Sequence, residues 1–129
     1  MNINERAELA VALKNSGYNC AQAVTAALAD RTGLSEDQLK QLTAGFAAGM
    51  GTMEATCGAL LAAGMAAGLE TRGQGTLRRS RELITAFRRR CGAVVCADLK
   101  RVTDGTPLCP CDECVRQAVL AYGEVLGLA

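Results

Sequence analysis

The sequence predicts an all-α fold, a compact single-domain bundle of about five to six helices spanning residues 1–129. Apolar residues recur at three- and four-residue spacing along nearly the whole chain, and no β alternation runs for more than a few residues. Caps open these periodic segments and glycines close them. Half of the chain is hydrophobic, yet only Tyr18, Phe46, Phe87 and Tyr122 are aromatic and Trp is absent. Alanines supply much of the apolar quota, so the expectation is close helix packing rather than a thick aliphatic core. The 129 residues are enough to bury a core without staples. No repeat or linker divides them.

Taken in order, Asn4 caps a first helix that runs through Asn15, with Leu9 and Leu13 inward and Gly17 as its stop. Asn19 caps a second from Cys20 to about Arg31, whose stripe is Cys20, Val24, Ala27 and Leu28. Ser35-Glu-Asp-Gln38 has the form of a capping box and opens a shorter helix through Leu42. The glycine-rich run from Gly45 to Thr52 reads as an irregular connector. A further helix is expected from about Met53 to Leu69, with Cys57, Leu61, Gly64, Met65 and Gly68 on one face. Gly64-x-x-x-Gly68 allows another helix to approach that face closely. Glu54 reads most simply as its cap, with a non-thiolate ligand as the alternative.

After a turn over Thr71–Gly75, Thr76 opens a basic helix with Ser80, Ile84, Phe87 and Cys91 inside and Gly92 as a kink or break. Helix resumes from Val94 to about Lys100, and a loop follows from Asp104 to Cys111. The last helix covers about Asp112 to Leu126, with Val115, Ala118, Val119, Tyr122 and Leu126 inward.

The net charge of +1 points to no class of partner. The N-terminus lacks a cationic stretch leading into an apolar run, and the most apolar window, Ala55 to Leu69, is shorter than the ~20 residues of a membrane span. The expectation is a soluble cytoplasmic protein with no membrane partner. Seven cysteines without one histidine narrow the chemistry to sulfur. In a reducing compartment such enrichment suggests metal ligation or redox thiols over structural disulfides. The missing histidine removes Cys/His nucleophile pairs, Ser-His-Asp triads, mixed zinc fingers and Cys-x-x-Cys-His haem attachment. Cys20, Cys57 and Cys114 fall near expected helix starts, where about half a positive charge favours thiolate over thiol. Cys109-Pro-Cys111-Asp-Glu-Cys114 is the densest cluster, and no second Cys-x-x-Cys exists to complete a zinc ribbon. Cys91 and Cys96 lie five apart, on different faces of any continuous helix.

Gly-Met-Gly-Thr-Met-Glu-Ala-Thr-Cys57-Gly-Ala-Leu, preceded by Gly17-Tyr-Asn-Cys20-Ala-Gln-Ala-Val, resembles the redox-active bacterial family named for its C-GCAxxG-C-C signature. Cys96 and Cys114 match the two later cysteines. Ala62 stands where the family element closes with glycine. The resemblance implies a helical domain whose Cys20, Cys57, Cys96 and Cys114 bind an iron–sulfur cluster or act as redox thiols. It leaves Cys91, Cys109 and Cys111 without a role: spare thiols, alternative ligands or a second dithiol. Four thiolates satisfy a [2Fe–2S] or [4Fe–4S] cluster or tetrahedral zinc, whereas paired thiols, Cys111 and Cys114 foremost, exchange two electrons as a disulfide.

Nine basic residues between Arg72 and Arg101 face only Glu82 and Asp98. A solvated face is the simplest reading of this stretch. The functional alternatives are docking of an acidic redox partner at the Arg-rich helix and offsetting of thiolate charge near Cys91 and Cys96. Nucleic acid comes third, for want of interleaved aromatic residues. Self-association into a homo-oligomer stays open.

Overall fold

Three helices begin at capping boxes, in which a side-chain oxygen and a backbone N–H are satisfied reciprocally. Asn2 with Glu5 opens α1 (Ile3–Asn15), Asn19 with Gln22 opens α2 (Cys20–Ala27), and Ser35 with Gln38 opens α3 (Glu36–Thr43). In the computed structural model, which describes residues 1–129, these are followed by α4 (Gly58–Glu70), α5 (Thr76–Cys91), the one-turn α6 (Cys96–Leu99) and α7 (Cys111–Leu126). Six of the seven helices have eight residues or more, and no helix is long and apolar enough to cross a membrane.

Several boundaries differ from the sequence reading. The first cap is Asn2, because Glu5 lies three residues on, whereas Asn4 is followed at that spacing by an alanine. The second helix stops at Ala27, and the chain continues as a single 3₁₀ turn over Ala29–Arg31. The fourth helix starts at Gly58 rather than Met53. Met50 and Met53 hold φ of 59° and 65°, in the left-handed region, and Thr56 pairs with Val95 in an isolated antiparallel bridge. Exposed Glu54 therefore caps nothing, and Cys57 occupies the N-cap position of α4. The segment expected as helix from Val94 narrows to α6, and the following loop contains a two-residue hairpin, β1 (Val102–Thr103) with β2 (Thr106–Pro107).

The core is one cluster in which α7 is central, packing against α1, α2, α4 and α5. On α4 the buried face is Ala59, Ala62, Ala63, Ala66 and Ala67, so the alanine at 62 fits a fully closed contact. On α5 the buried face is Leu83, Ala86, Phe87 and Cys91; Ser80 is half-buried and Ile84 exposed, a one-residue rotation from the expected stripe. On α7 the inward set includes Cys114 and Gly123 beside Val115, Ala118, Val119 and Tyr122, while Leu126 is half-buried.

Polar groups within the bundle are paired. The Arg6 guanidinium donates to both Asp30 carboxylate oxygens, at 2.6 and 2.9 Å, and to the Ala27 carbonyl oxygen. The fully buried Tyr122 donates its hydroxyl to Glu70 at 2.7 Å, and Glu70 also pairs with Arg31. Burial first, and the Glu70 carboxylate second, push the Tyr122 phenol above its ordinary value of 10. A group raised in the folded state stabilises the protein fully below its unfolded value and loses that contribution as pH rises past it. Unfolding free energy should therefore fall above pH 10. Tyr122→Phe should cost about 2 kcal/mol at neutral pH, the scale of a hydrogen bond to a charged group. The same variant should show a shallower alkaline fall in denaturant melts; an equally steep fall would place the linkage elsewhere.

Candidate redox centre

Four separate segments carry the signature cysteines to one place, and each is set there by backbone contacts. The Cys57 N–H donates to the Val94 carbonyl at 2.7 Å and the Cys96 N–H donates to the Ala55 carbonyl at 3.0 Å, on either side of the Thr56–Val95 bridge. This ties the start of α4 to the start of α6. The irregular Gly45–Thr56 connector lies over both, and a Cβ on Gly49 would come within 2.9 Å of the Cys96 Cβ. Cys20, the first residue of α2, points its sulfur at the first turn of α4: a Cβ on Gly58 would lie 3.1 Å from it and 2.1 Å from the Phe46 carbonyl oxygen. Gly92 ends α5 with φ of 92°, so Cys91 and Cys96 do not share a helix, and both can approach the cluster.

The Cys109 N–H donates to the Leu99 carbonyl at 2.9 Å, which folds the hairpin segment back beside α6. There the Lys100 ammonium donates to the Cys109 carbonyl oxygen at 3.1 Å and to the Cys114 sulfur at 3.4 Å. The Cys114 thiol in turn donates to the Cys109 carbonyl at 3.4 Å.

The thiols form two groups that share Cys114. Cys20, Cys96 and Cys111 line an apolar groove of about 380 Å³ with Lys14, Met53 and Lys100. Cys57 and Cys114 are buried behind it, within electrostatic reach of each other and of Lys100. Cys91 and Cys109 are also buried, and both interact with Cys114. All seven cysteines are free, and only Cys111 is exposed.

Their acidities divide the same way. Burial, and then the neighbouring Cys57, push the Cys20 thiol up to about 11. The adjacent Cys114 thiol and burial raise Cys57, burial raises Cys96, and Cys109 and Cys114 raise Cys91. Cys109 moves the other way, down to about 4, because the Cys114 and Cys91 thiols stabilise its thiolate. Cys114 is also lowered; Cys109 opposes ionisation there, but the Cys57 and Cys91 thiols outweigh it. The pair thus shares a thiolate matched by Lys100. Burial opposes charge on that lysine, but Cys114, Cys111 and Cys57 hold it protonated above its ordinary range.

The sequence profile of the family described as "Putative redox-active protein (C_GCAxxG_C_C)" matches residues 18–125. The chain belongs to this family. The match spans all four signature cysteines of this C_GCAxxG_C_C protein. No curated protein and no solved structure matches the chain.

Two features escaped the sequence reading. Lys100 was counted only as one charge in the basic stretch; it is the cation that meets the thiols, whereas Arg89 and Arg90 pair with Glu124 on α7. Cys111 rather than Cys114 begins the last helix, which puts Cys114 one turn in and buried. Asn19 matters to the centre as well. Its side chain caps α2 at Gln22 and donates to the Ala44 carbonyl at 3.1 Å, holding Cys20 beside the connector. Asn19→Ala should lower stability by about 1 kcal/mol. It should also quicken alkylation of Cys20, read by mass spectrometry on the reduced protein; unchanged labelling would mean the cap does not position the thiol.

Proposed function

We propose that this redox-active protein is an electron-transfer module that binds an iron–sulfur cluster through Cys20, Cys57, Cys96 and Cys114. The observation that carries the reading is the approach of four soft donors from four distant segments: Cys20 and Cys96 line one apolar groove, Cys57 lies within electrostatic reach of both and of Cys114, and the Lys100 ammonium rests against the Cys114 sulfur. No three cysteine, aspartate or glutamate side chains are arranged to hold a single metal ion. A tetrahedral zinc, with sulfur at about 2.3 Å, demands that its thiolates crowd together. A cluster several atoms across takes thiolates from positions further apart, and Cys20 and Cys96 line the groove while Cys57 and Cys114 lie outside its lining. Such a cluster supplies one-electron chemistry. The chain's own part is to hold the thiols in an apolar setting, to limit water at Cys57 and Cys114, and to offset thiolate charge through Lys100. Seven free thiols fit a reducing compartment, which supports a cytoplasmic location.

A second reading rests on Cys91, Cys109 and Cys114. Depression of Cys109 beside Cys91 and Cys114 is what an exchanging dithiol needs. Oxidation of two of these thiols to a disulfide would release two electrons and two protons.

Anaerobic purification followed by visible absorbance and by iron, sulfide and zinc analysis separates these readings. A brown protein with iron and acid-labile sulfide is expected. Colourless, metal-free protein that cycles between thiol and disulfide would replace the first reading with the second. One zinc without a redox response would make the site structural.

A further inference from the structure

On the face of α4 that carries Gly64 and Gly68, Thr76 at the start of α5 lies 3.8 Å from a Cβ built on Gly68, but nothing covers Gly64. A Cβ built on Gly64 meets nothing within 4 Å. Beside it, α4 and α5 enclose an apolar groove of about 370 Å³, with Leu60, Leu61, Met65 and Leu83 among its walls. Ile84 of its lining is 38 % exposed, and Leu77, one and two turns before Ser80 and Ile84 on α5, is 80 % exposed. Leu77, Arg81, Ile84 and Arg88 recur at four- and three-residue spacing, which places them on one outer stripe of α5.

The charge on this stripe is largely unanswered. Arg79, Arg89 and Arg90 pair with Glu82 or Glu124, and Arg78 reaches only Glu82, at 3.6 Å. Arg81 and Arg88 are exposed, and neither forms an ion pair within the chain. Thr56, the residue before Cys57 and the partner of Val95 beside Cys96, also lines the groove, which links its wall through the backbone to the segments of two signature cysteines.

We infer that the α4–α5 groove docks an amphipathic helix of an acidic redox partner protein. The partner's apolar side covers Leu61, Met65 and Ile84, and its carboxylates meet Arg81 and Arg88. A second copy of this chain would bring an equally basic α5 against these arginines, and like charges brought together disfavour that pairing. The word redox rests on the reading of the cysteine centre; the groove and its charge do not.

The test uses a synthetic peptide helix with leucines at i, i+3, i+4 and i+7 and flanking glutamates, titrated into the full chain by fluorescence anisotropy. Its counterpart has lysines in place of the glutamates. The acidic peptide should bind at least about tenfold more tightly than the basic one, and its affinity should fall with added salt. Arg81→Glu with Arg88→Glu should cost at least about tenfold, and Gly64→Leu, whose Cβ meets open space and whose side chain projects toward the groove, should abolish binding. Both variants should keep the circular dichroism and metal content of the parent. Equal affinity for the two peptides, or unchanged affinity in Gly64→Leu, would overturn the inference. So would self-association of the peptide-free chain that Gly64→Leu breaks, which assigns the groove to a second copy. Binding to anionic phosphatidylglycerol vesicles in preference to the acidic peptide would assign it to a membrane surface. A colourless chain that binds the peptide refutes the cluster alone, and a brown chain that does not refutes the docking alone.

Discussion

Cys57→Ser should strip the centre of its iron, with at least about a tenfold loss per chain, because an oxygen donor cannot replace a soft thiolate at this site. Serine has the size of cysteine, so the bundle should survive and far-ultraviolet circular dichroism should match the parent. Cys20→Ser, Cys96→Ser and Cys114→Ser should behave alike. Cys91→Ser and Cys109→Ser are the informative controls. Both residues are buried and both interact with Cys114, so on geometry alone either could be a ligand. They are expected to keep the visible spectrum and the iron. Loss of iron from Cys109→Ser together with retention in Cys20→Ser would move the centre inward, to Cys91, Cys109 and Cys114.

Gly58→Ala should be the most damaging single methyl addition in the chain. Its Cβ would lie 2.1 Å from the Phe46 carbonyl oxygen and 3.1 Å from the Cys20 sulfur, and the first of these is backbone that cannot swing away. Overpacking of this kind costs about 3 kcal/mol or more. In a chain of this size that lowers the melting temperature by roughly 10 °C. Because relief requires the connector to lift, the same variant should also expose Cys20 to alkylation. Gly64→Ala, on the same helix, has open space at its Cβ and should stabilise by up to about 1 kcal/mol. Comparable melting temperatures for the two variants would contradict the packing described for the start of α4.

Much of the architecture follows from local chemistry that the sequence displays openly. The boxes at Asn19–Gln22 and Ser35–Gln38 fix the starts of α2 and α3, and Gly92 and Gly127 end α5 and α7. Asn2 was legible in principle too, since Glu5 completes its box and nothing completes one at Asn4. The start of α4 was not. Helical periodicity continues smoothly through Met53, and what stops the helix is a tertiary event, the pairing of Thr56 with Val95 nearly forty residues away. The connector before it holds Met50 and Met53 in the left-handed region, a conformation that methionine does not signal in sequence. The rotation of the α5 stripe has a similar origin. Ser80–Ile84 and Leu83–Phe87 both satisfy helical spacing, and only the path of α4 decides which face is covered.

At the centre, the signature cysteines were identifiable from their sequence context, but their division into two groups was not. Cys91 and Cys109 reach Cys114 because Gly92 turns the chain and the small hairpin folds back onto α6, neither of which spacing alone reveals. Lys100 was hidden among arginines of the same sign. Its distinction is position: it follows α6 directly, where its ammonium lies 3.4 Å from the Cys114 sulfur.

The central claim is that four thiols form one centre that moves single electrons. Potentiometric titration of the anaerobically purified protein, followed by its visible absorbance, tests it most directly. A single wave with a slope of about 59 mV per tenfold change in the ratio of oxidised to reduced protein is the result expected of the cluster. A colourless protein that shows no visible wave, and whose thiols are lost to labelling in pairs with a slope of about 30 mV, would contradict it and make the centre a dithiol.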